Sequence, residues 1–162
     1  MKNIFLLFFV VSCFSQSNNL DKPKIELLLN NWHNAAAEAK FDNYFDLMTD
    51  DAVFIGTDAT ENWTKIAFMA YAKPYFDKGK AWSFTSIERH IYFSKNKQSA
   101  WFDELLSTQM KICRGSGVVI KTINGWKIAH YVLSMTVPNE LSNKVIKIKT
   151  VAEDKIIQEL KK

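Results

Sequence analysis

From Ala81 to Thr136 the chain follows a two-residue apolar and polar period over most of its length, in segments separated by polar turn residues. That period belongs to strands with one buried and one solvated face, not to helices. It predicts four strands: Trp82 to Phe93, Ser99 to Ser107, Met110 to Thr122 and Trp126 to Thr136. Lys95-Asn96-Lys97 supplies a polar turn, and Asn124-Gly125 is a strong two-residue hairpin signal. Pro138 ends the last strand. Successive strands joined by short turns form an antiparallel meander.

The region before Ala81 keeps a different period. Asp21 is placed to cap a helix, with Pro23 tolerated in its first turn. Ile25, Leu28, Leu29, Trp32, Ala35, Ala36 and Ala39 then follow helical spacing to about Lys40. A second short helix is expected from Asp42 to Met48, a short strand at Ala52 to Ile55, and a third helix beginning at Asn62 or Thr64. A final helix is expected from Val151 to Leu160. Helices first and a meander second define an α+β architecture, with the N-terminal helices packed on a strongly curved antiparallel sheet.

If Asn124-Gly125 is the whole loop, Ile123 faces Trp126, and Val119, Gly117 and Gly115 face His130, Val132 and Ser134. On this register two glycines leave room on one sheet face, with His130 at its border. Glycine within a strand marks a bend or a close approach of ligand or backbone. A curled sheet closed by helices forms a cone, and its hollow is the expected binding site.

The other limits come from composition. The 162 residues fit one domain. Five Trp and twelve Phe are many for that size and predict a core or pocket walled by rings. The net charge of +4 is a weak excess without a basic cluster, so no nucleic-acid partner is expected. Lys2, the apolar run Ile4 to Val11, and the small residues Ser12, Cys13 and Ser15 follow the order of a secretory signal. Cleavage after residue 15 is the expectation; a lipobox at Val10-Val11-Ser12-Cys13, giving a membrane-anchored lipoprotein lipidated at Cys13, is the other reading. Both place the protein outside the cytoplasm, periplasmic or secreted. Cys113 is then a small core residue. The expected layout is a signal at 1–15, a domain at 21–139 and a basic, partly helical tail at 140–162.

Three segments carry a resemblance: the Trp32-His33 helix, Asp50-Asp51-Ala52-Val53-Phe54-Ile55-Gly56, and Gly125-Trp126-Lys127-Ile128-Ala129-His130. Together they resemble the SnoaL-like members of the nuclear transport factor 2-like superfamily. Ala100-Trp101-Phe102-Asp103-Glu104 and Arg114-Gly115-Ser116-Gly117 further resemble an exported bacterial subgroup. The resemblance implies a cone-shaped α+β barrel, commonly a homodimer. It implies a shared pocket and no shared reaction, since relatives include isomerases, dehydratases, hydrolases, cyclases and non-catalytic modules.

Within that frame His130 is the first candidate general acid or base, with Glu104 as its carboxylate partner. Asp103 and Glu104 lie in one strand, so one of them faces inward; Glu104 is expected there, on the subgroup resemblance, and Arg114 is a candidate ion-pair partner. Trp32, His33, Asp58, Trp101, Arg114, Trp126 and Ser134 are candidate ligand contacts. His33, His90 and His130 lack the short spacing of metal ligands, and no phosphate-binding or dinucleotide motif occurs, so neither metal nor cofactor is expected. Three functions stay open: binding of a small, largely apolar molecule; cofactor-free acid/base chemistry by an isomerase, dehydratase or hydrolase; and a structural module whose cone is filled by its own side chains.

Overall fold

The computed structural model describes residues 20–162, so the signal or lipobox at residues 1–15 lies outside the described residues. Helix α1 spans Lys22–Ala37, with Pro23 in its first turn. Its buried residues, Ile25, Leu28, Leu29, Trp32, His33, Ala35 and Ala36, recur at helical spacing along one face. Asp21 holds the N-cap position, yet its side chain makes no capping bond. It accepts instead from Lys121 Nζ at 2.9 Å, a hundred residues along the chain.

Helix α2 is only Phe41–Phe45, shorter than expected, because the chain is already extended at Met48. Strand β1 is Met48–Ile55 and β2 is Asn62–Thr64. The third helix, α3, is Lys65–Asp77. Thr64 ends the strand and caps the helix, its hydroxyl accepting the Ala67 N–H at 3.3 Å. The meander follows as β3 Phe84–Phe93, β4 Ser99–Thr108, β5 Lys111–Thr122 and β6 Gly125–Met135. After a 3₁₀ turn, α4 runs over Ser142–Leu160, beginning well before the expected Val151. None of its residues is buried. No helix among the described residues is long and apolar enough to cross a membrane.

The six strands form one sheet in the order β2-β1-β6-β5-β4-β3. Every pairing is antiparallel except β1 with β6, which is parallel. Helices α1 and α3 lie against the sheet, α1 on β3 and β6, α3 on β1 and β2.

The expected β5–β6 register does not hold. Thr122 pairs with Gly125, so the loop is Ile123-Asn124 and Ile123 is wholly exposed. The Thr122 hydroxyl fixes this turn, accepting from Asn124 N at 3.2 Å and donating to Gly125 O at 2.8 Å. Gly125 follows with φ of +107°, in the left-handed region. A bulge at Ala129 then shifts the register again: Val119 pairs with Ile128 but Val118 with His130. Gly117 therefore faces Tyr131 and Gly115 faces Leu133, not Val132 and Ser134. The bulge turns Tyr131 and Leu133 inward and sends His130, Val132 and Ser134 to the outer face.

The hollow of the cone is filled by the protein's own rings. Trp32 stacks on Tyr44 with centroids 4.8 Å apart and meets Tyr131 edge-on at 4.7 Å. Phe54 and Phe68 stack at 4.0 Å. Nor do the glycines leave free space. A Cβ on Gly115 would overlap the Tyr131 hydroxyl, and one on Gly117 would lie 2.9 Å from the Phe102 ring as well as against the His130 carbonyl.

Candidate functional site

Two rows of inward residues cross the sheet side by side. Arg89, Glu104, Gly115 and Leu133 are successive partners in one row; Ile91, Phe102, Gly117, Tyr131 and Phe54 form the next. Glu104 is the inward carboxylate and is fully buried, while Asp103 is exposed on the outer face. A buried carboxylate is costly unless every lone pair finds a donor. Here four donors converge. Arg89 Nε and Nη2 both donate to Oε2, at 2.8 and 2.6 Å. His33 Nε2 lies 2.8 Å from Oε1, and the Tyr131 hydroxyl donates to the same oxygen at 3.1 Å. Gly115 makes this possible, because only a residue without a side chain lets Tyr131 Oη pass over β5 to reach Glu104.

The titration of the cluster follows from this geometry. Burial pushes the Glu104 carboxyl up, but the His33 hydrogen bond and the His33 and Arg89 charges outweigh it, and the net shift is down. Glu104 is ionised at neutral pH. Burial pushes the Tyr131 phenol well up, and the Glu104 charge adds to that, so Tyr131 stays protonated and donates.

The other expected residues disperse. Trp32 sits beside this cluster, 5.4 Å from His33 between ring centroids. Trp126 is buried at the far end of the cone, edge-on to Phe93. His130, Arg114, Ser134 and Trp101 all lie on the outer sheet face, where Trp101 stacks on Tyr92 at 6.0 Å. They do not meet Glu104: the bulge removes His130 and Ser134 from the interior, and Arg114 lies one residue out of phase with Gly115. The ion-pair partner of Glu104 is Arg89, not Arg114. Asp58 is exposed in the β1–β2 loop and ties that loop down, accepting Thr60 N–H at 2.9 Å and the Thr60 hydroxyl at 2.6 Å. Arg89 and Tyr131 are the members of the cluster that sequence reasoning missed. The signal for Tyr131 was present: the apolar residues of β6 switch from even numbers, Trp126 and Ile128, to odd ones, Tyr131 and Leu133.

Of the clefts among the described residues, two adjoin Phe84 beside the filled core. One, about 180 Å³, lies at the cone mouth among Phe54, Trp63, Phe68, Trp82 and Leu133, with Glu61, Thr57 and Gln109 at its rim. Its rings are nearly parallel: Trp63 with Phe68 within 7°, Phe68 with Trp82 within 22°, Trp63 with Tyr71 within 24°. The second, about 250 Å³, is polar and lined by Asn30, His33, Asn34, Thr85 and Ser86. Phe84 borders both and meets the His33 ring edge-on at 6.0 Å. No three His, Cys, Asp or Glu side chains among the described residues are placed to hold a metal ion.

The curved sheet wrapped on N-terminal helices is the fold of solved structures described as NTF2-like. The chain belongs to the SnoaL-like domain family, which matches residues 25–138. An NTF2-like protein of unknown function from Pseudomonas putida KT2440 superposes with a TM-score of 0.61 at 14% identity, over 73% of this chain and 88% of that one. A domain of unknown function with a cystatin-like fold from Nostoc punctiforme superposes with a TM-score of 0.64 at 16% identity, over 89% and 96%. An NTF2-like protein from Cytophaga hutchinsonii gives 0.59 at 15% identity, over 72% and 100%. At these identities the likeness is one of fold. No functionally curated protein matches the sequence.

Proposed function

We propose that this domain binds a small, flat, largely apolar molecule at the mouth of the cone. The reading rests on the near-parallel rings of Trp63, Phe68 and Trp82 bordering an open cleft, with polar groups only at its rim. The interior cannot serve, because its own rings fill it. At about 180 Å³ the cleft is smaller than the roughly 300–1,000 Å³ of drug-sized sites, so it suits a molecule of one or two rings. Offset stacking on such walls contributes about 0.5–1.5 kcal/mol per ring pair beyond the buried area. Gln109 and Thr57 are placed to meet one polar substituent at the rim.

Calorimetric titration with 2-naphthol tests this. Saturable binding is expected, weakened at least tenfold in Trp63→Ala and unchanged in His130→Ala, whose side chain lies on the other face of the sheet. Equal affinity in wild type and Trp63→Ala overturns the reading.

Export is proposed on the order of residues 2–15, a basic start, an apolar run and small residues. Mass spectrometry of the protein made in a bacterial host should find a mature N-terminus at Gln16. A diacylglyceryl group on Cys13 would support the lipoprotein route instead.

A further inference from the structure

His33 is buried within α1, yet it lines the polar cleft on the other side of Phe84. The groups that face it from the packed elements are Glu104 of β4, Arg89 of β3 and Tyr131 of β6. Because Glu104 is ionised, it can only accept, so His33 Nε2 carries the proton in their shared bond. In the neutral imidazole the lone pair is then on Nδ1. That nitrogen has no protein partner among the described residues and is not among the partnerless atoms sealed from solvent. A carboxylate that fixes the tautomer of an imidazole, whose second nitrogen opens on a cleft, is the arrangement of an oriented base. Arg89 is itself fixed, donating from Nη1 to Asn30 Oδ1 at 2.9 Å and to the Glu26 carbonyl at 3.3 Å, so the carboxylate cannot swing away.

We infer that His33 is a general base, positioned by Glu104, for hydrolysis of a small polar ester held in the cleft formed by Asn30, Asn34, Phe84, Thr85 and Ser86. The cleft is open and lined by amides and hydroxyls, so water is at hand as the nucleophile. In the step, water adds to the ester carbonyl carbon and gives one proton to His33 Nδ1. The carbon–oxygen bond to the alcohol then breaks, the imidazolium returns the proton to the departing alkoxide, and acid and alcohol leave. No oxidant, reductant or metal enters the balance. Asn34 and Ser86, which line the same cleft, would supply the donors to the carbonyl oxygen as it gains charge. This site is separate from the mouth cleft, and its test does not depend on naphthol binding.

The probe is p-nitrophenyl acetate with the full mature chain. Release of p-nitrophenolate should saturate with ester concentration and fall at least a hundredfold in His33→Gln, the low end of the range of about 10²–10⁴ that general-base groups contribute. His90→Gln, which alters an exposed histidine of the outer face, should keep the wild-type rate. Glu104→Gln should lower kcat more than KM, since a neutral amide still accepts from Nε2 but no longer supports the imidazolium. Nitrogen-15 correlation spectra of the wild-type protein give a readout that no variant's folding can spoil: His33 should appear as the Nε2–H tautomer. An Nδ1–H tautomer, or an equal rate in His33→Gln, overturns the inference.

Discussion

Arg89 places two N–H donors on a single oxygen of Glu104 and leaves the other oxygen to His33 and Tyr131. The carboxylate is thus divided between the guanidinium on one oxygen and an imidazole and a phenol on the other. Each depends on the others, because removing any donor leaves a lone pair with no water to replace it.

Truncating Glu104 should therefore cost more than the loss of its contacts. Glu104→Ala leaves Arg89 charged, largely buried and unpaired, and is expected to lose about 3–5 kcal/mol in urea unfolding. Replacing both partners, as Arg89→Met with Glu104→Leu, should recover part of it by removing the unpaired charge, the remainder being the cost of leaving the His33 and Tyr131 donors without an acceptor. A double variant as unstable as the single one would show that the pair is more than a mutually compensated ion pair.

The two glycines of β5 should respond differently. Gly115→Ala meets the Tyr131 hydroxyl, a side-chain obstacle. Overpacking of this kind costs about 1–3 kcal/mol, and Tyr131→Phe in the same chain should return part of it. Gly117→Ala meets the His130 carbonyl, which is backbone, so no side-chain change should relieve it. Thermal midpoints of the four chains decide the matter.

Acid should unfasten the start of α1. The Lys121 hydrogen bond and the Lys24 and Trp126 contacts hold the Asp21 carboxyl down to about 2, from an ordinary 3.8, against a smaller opposing effect of burial. A depressed folded-state value means stability that is present above pH 3.8 and lost as pH falls toward 2. Asp21→Asn should therefore be less stable than wild type at pH 6 and equal to it at pH 2, as measured by denaturant unfolding at both. Glu104 is shifted in the same direction and adds to the acid limb in both chains.

Helix α4 should be dispensable for stability. It buries no residue, and Ile148, Val151 and Leu160 are about four-fifths exposed. A chain ending at Leu141 is expected to keep its unfolding free energy within about 0.5 kcal/mol, the ordinary range for surface changes.

The architecture was legible because its cause is local. A period of two over Ala81 to Thr136, and of three to four over Ile25 to Ala36, reports burial one residue at a time. The same period puts one of Asp103 and Glu104 inward but does not say which; the choice of Glu104 rests on the subgroup resemblance. What stayed hidden depends on interruptions to the period. The bulge at Ala129 inserts one residue and exchanges the faces of everything after it, which moved His130 outward and Tyr131 inward. A second irregularity between Ser86 and Glu88 in β3 brings Arg89 to the inner face opposite Glu104. Neither bulge has a glycine or proline to mark it, and the turn at Ile123-Asn124 is set by the Thr122 hydroxyl, a side-chain choice that dipeptide preferences do not contain. The parallel seat of β1 on β6 joins segments some eighty residues apart, and nothing local encodes it.

That parallel seat governs the order in which the molecule can be assembled. Trp32, Tyr44, Phe54 and Phe68 all precede the strand that shelters them, and β6 is the last strand to leave the ribosome. Until residue 135 is free, the first half of the chain carries sticky rings with nothing to lie on. Pairing so distant in sequence is slow to find. A chain cut short before Gly125 should accordingly be prey for chaperones and proteases, while one cut just beyond Met135 already owns every strand it needs.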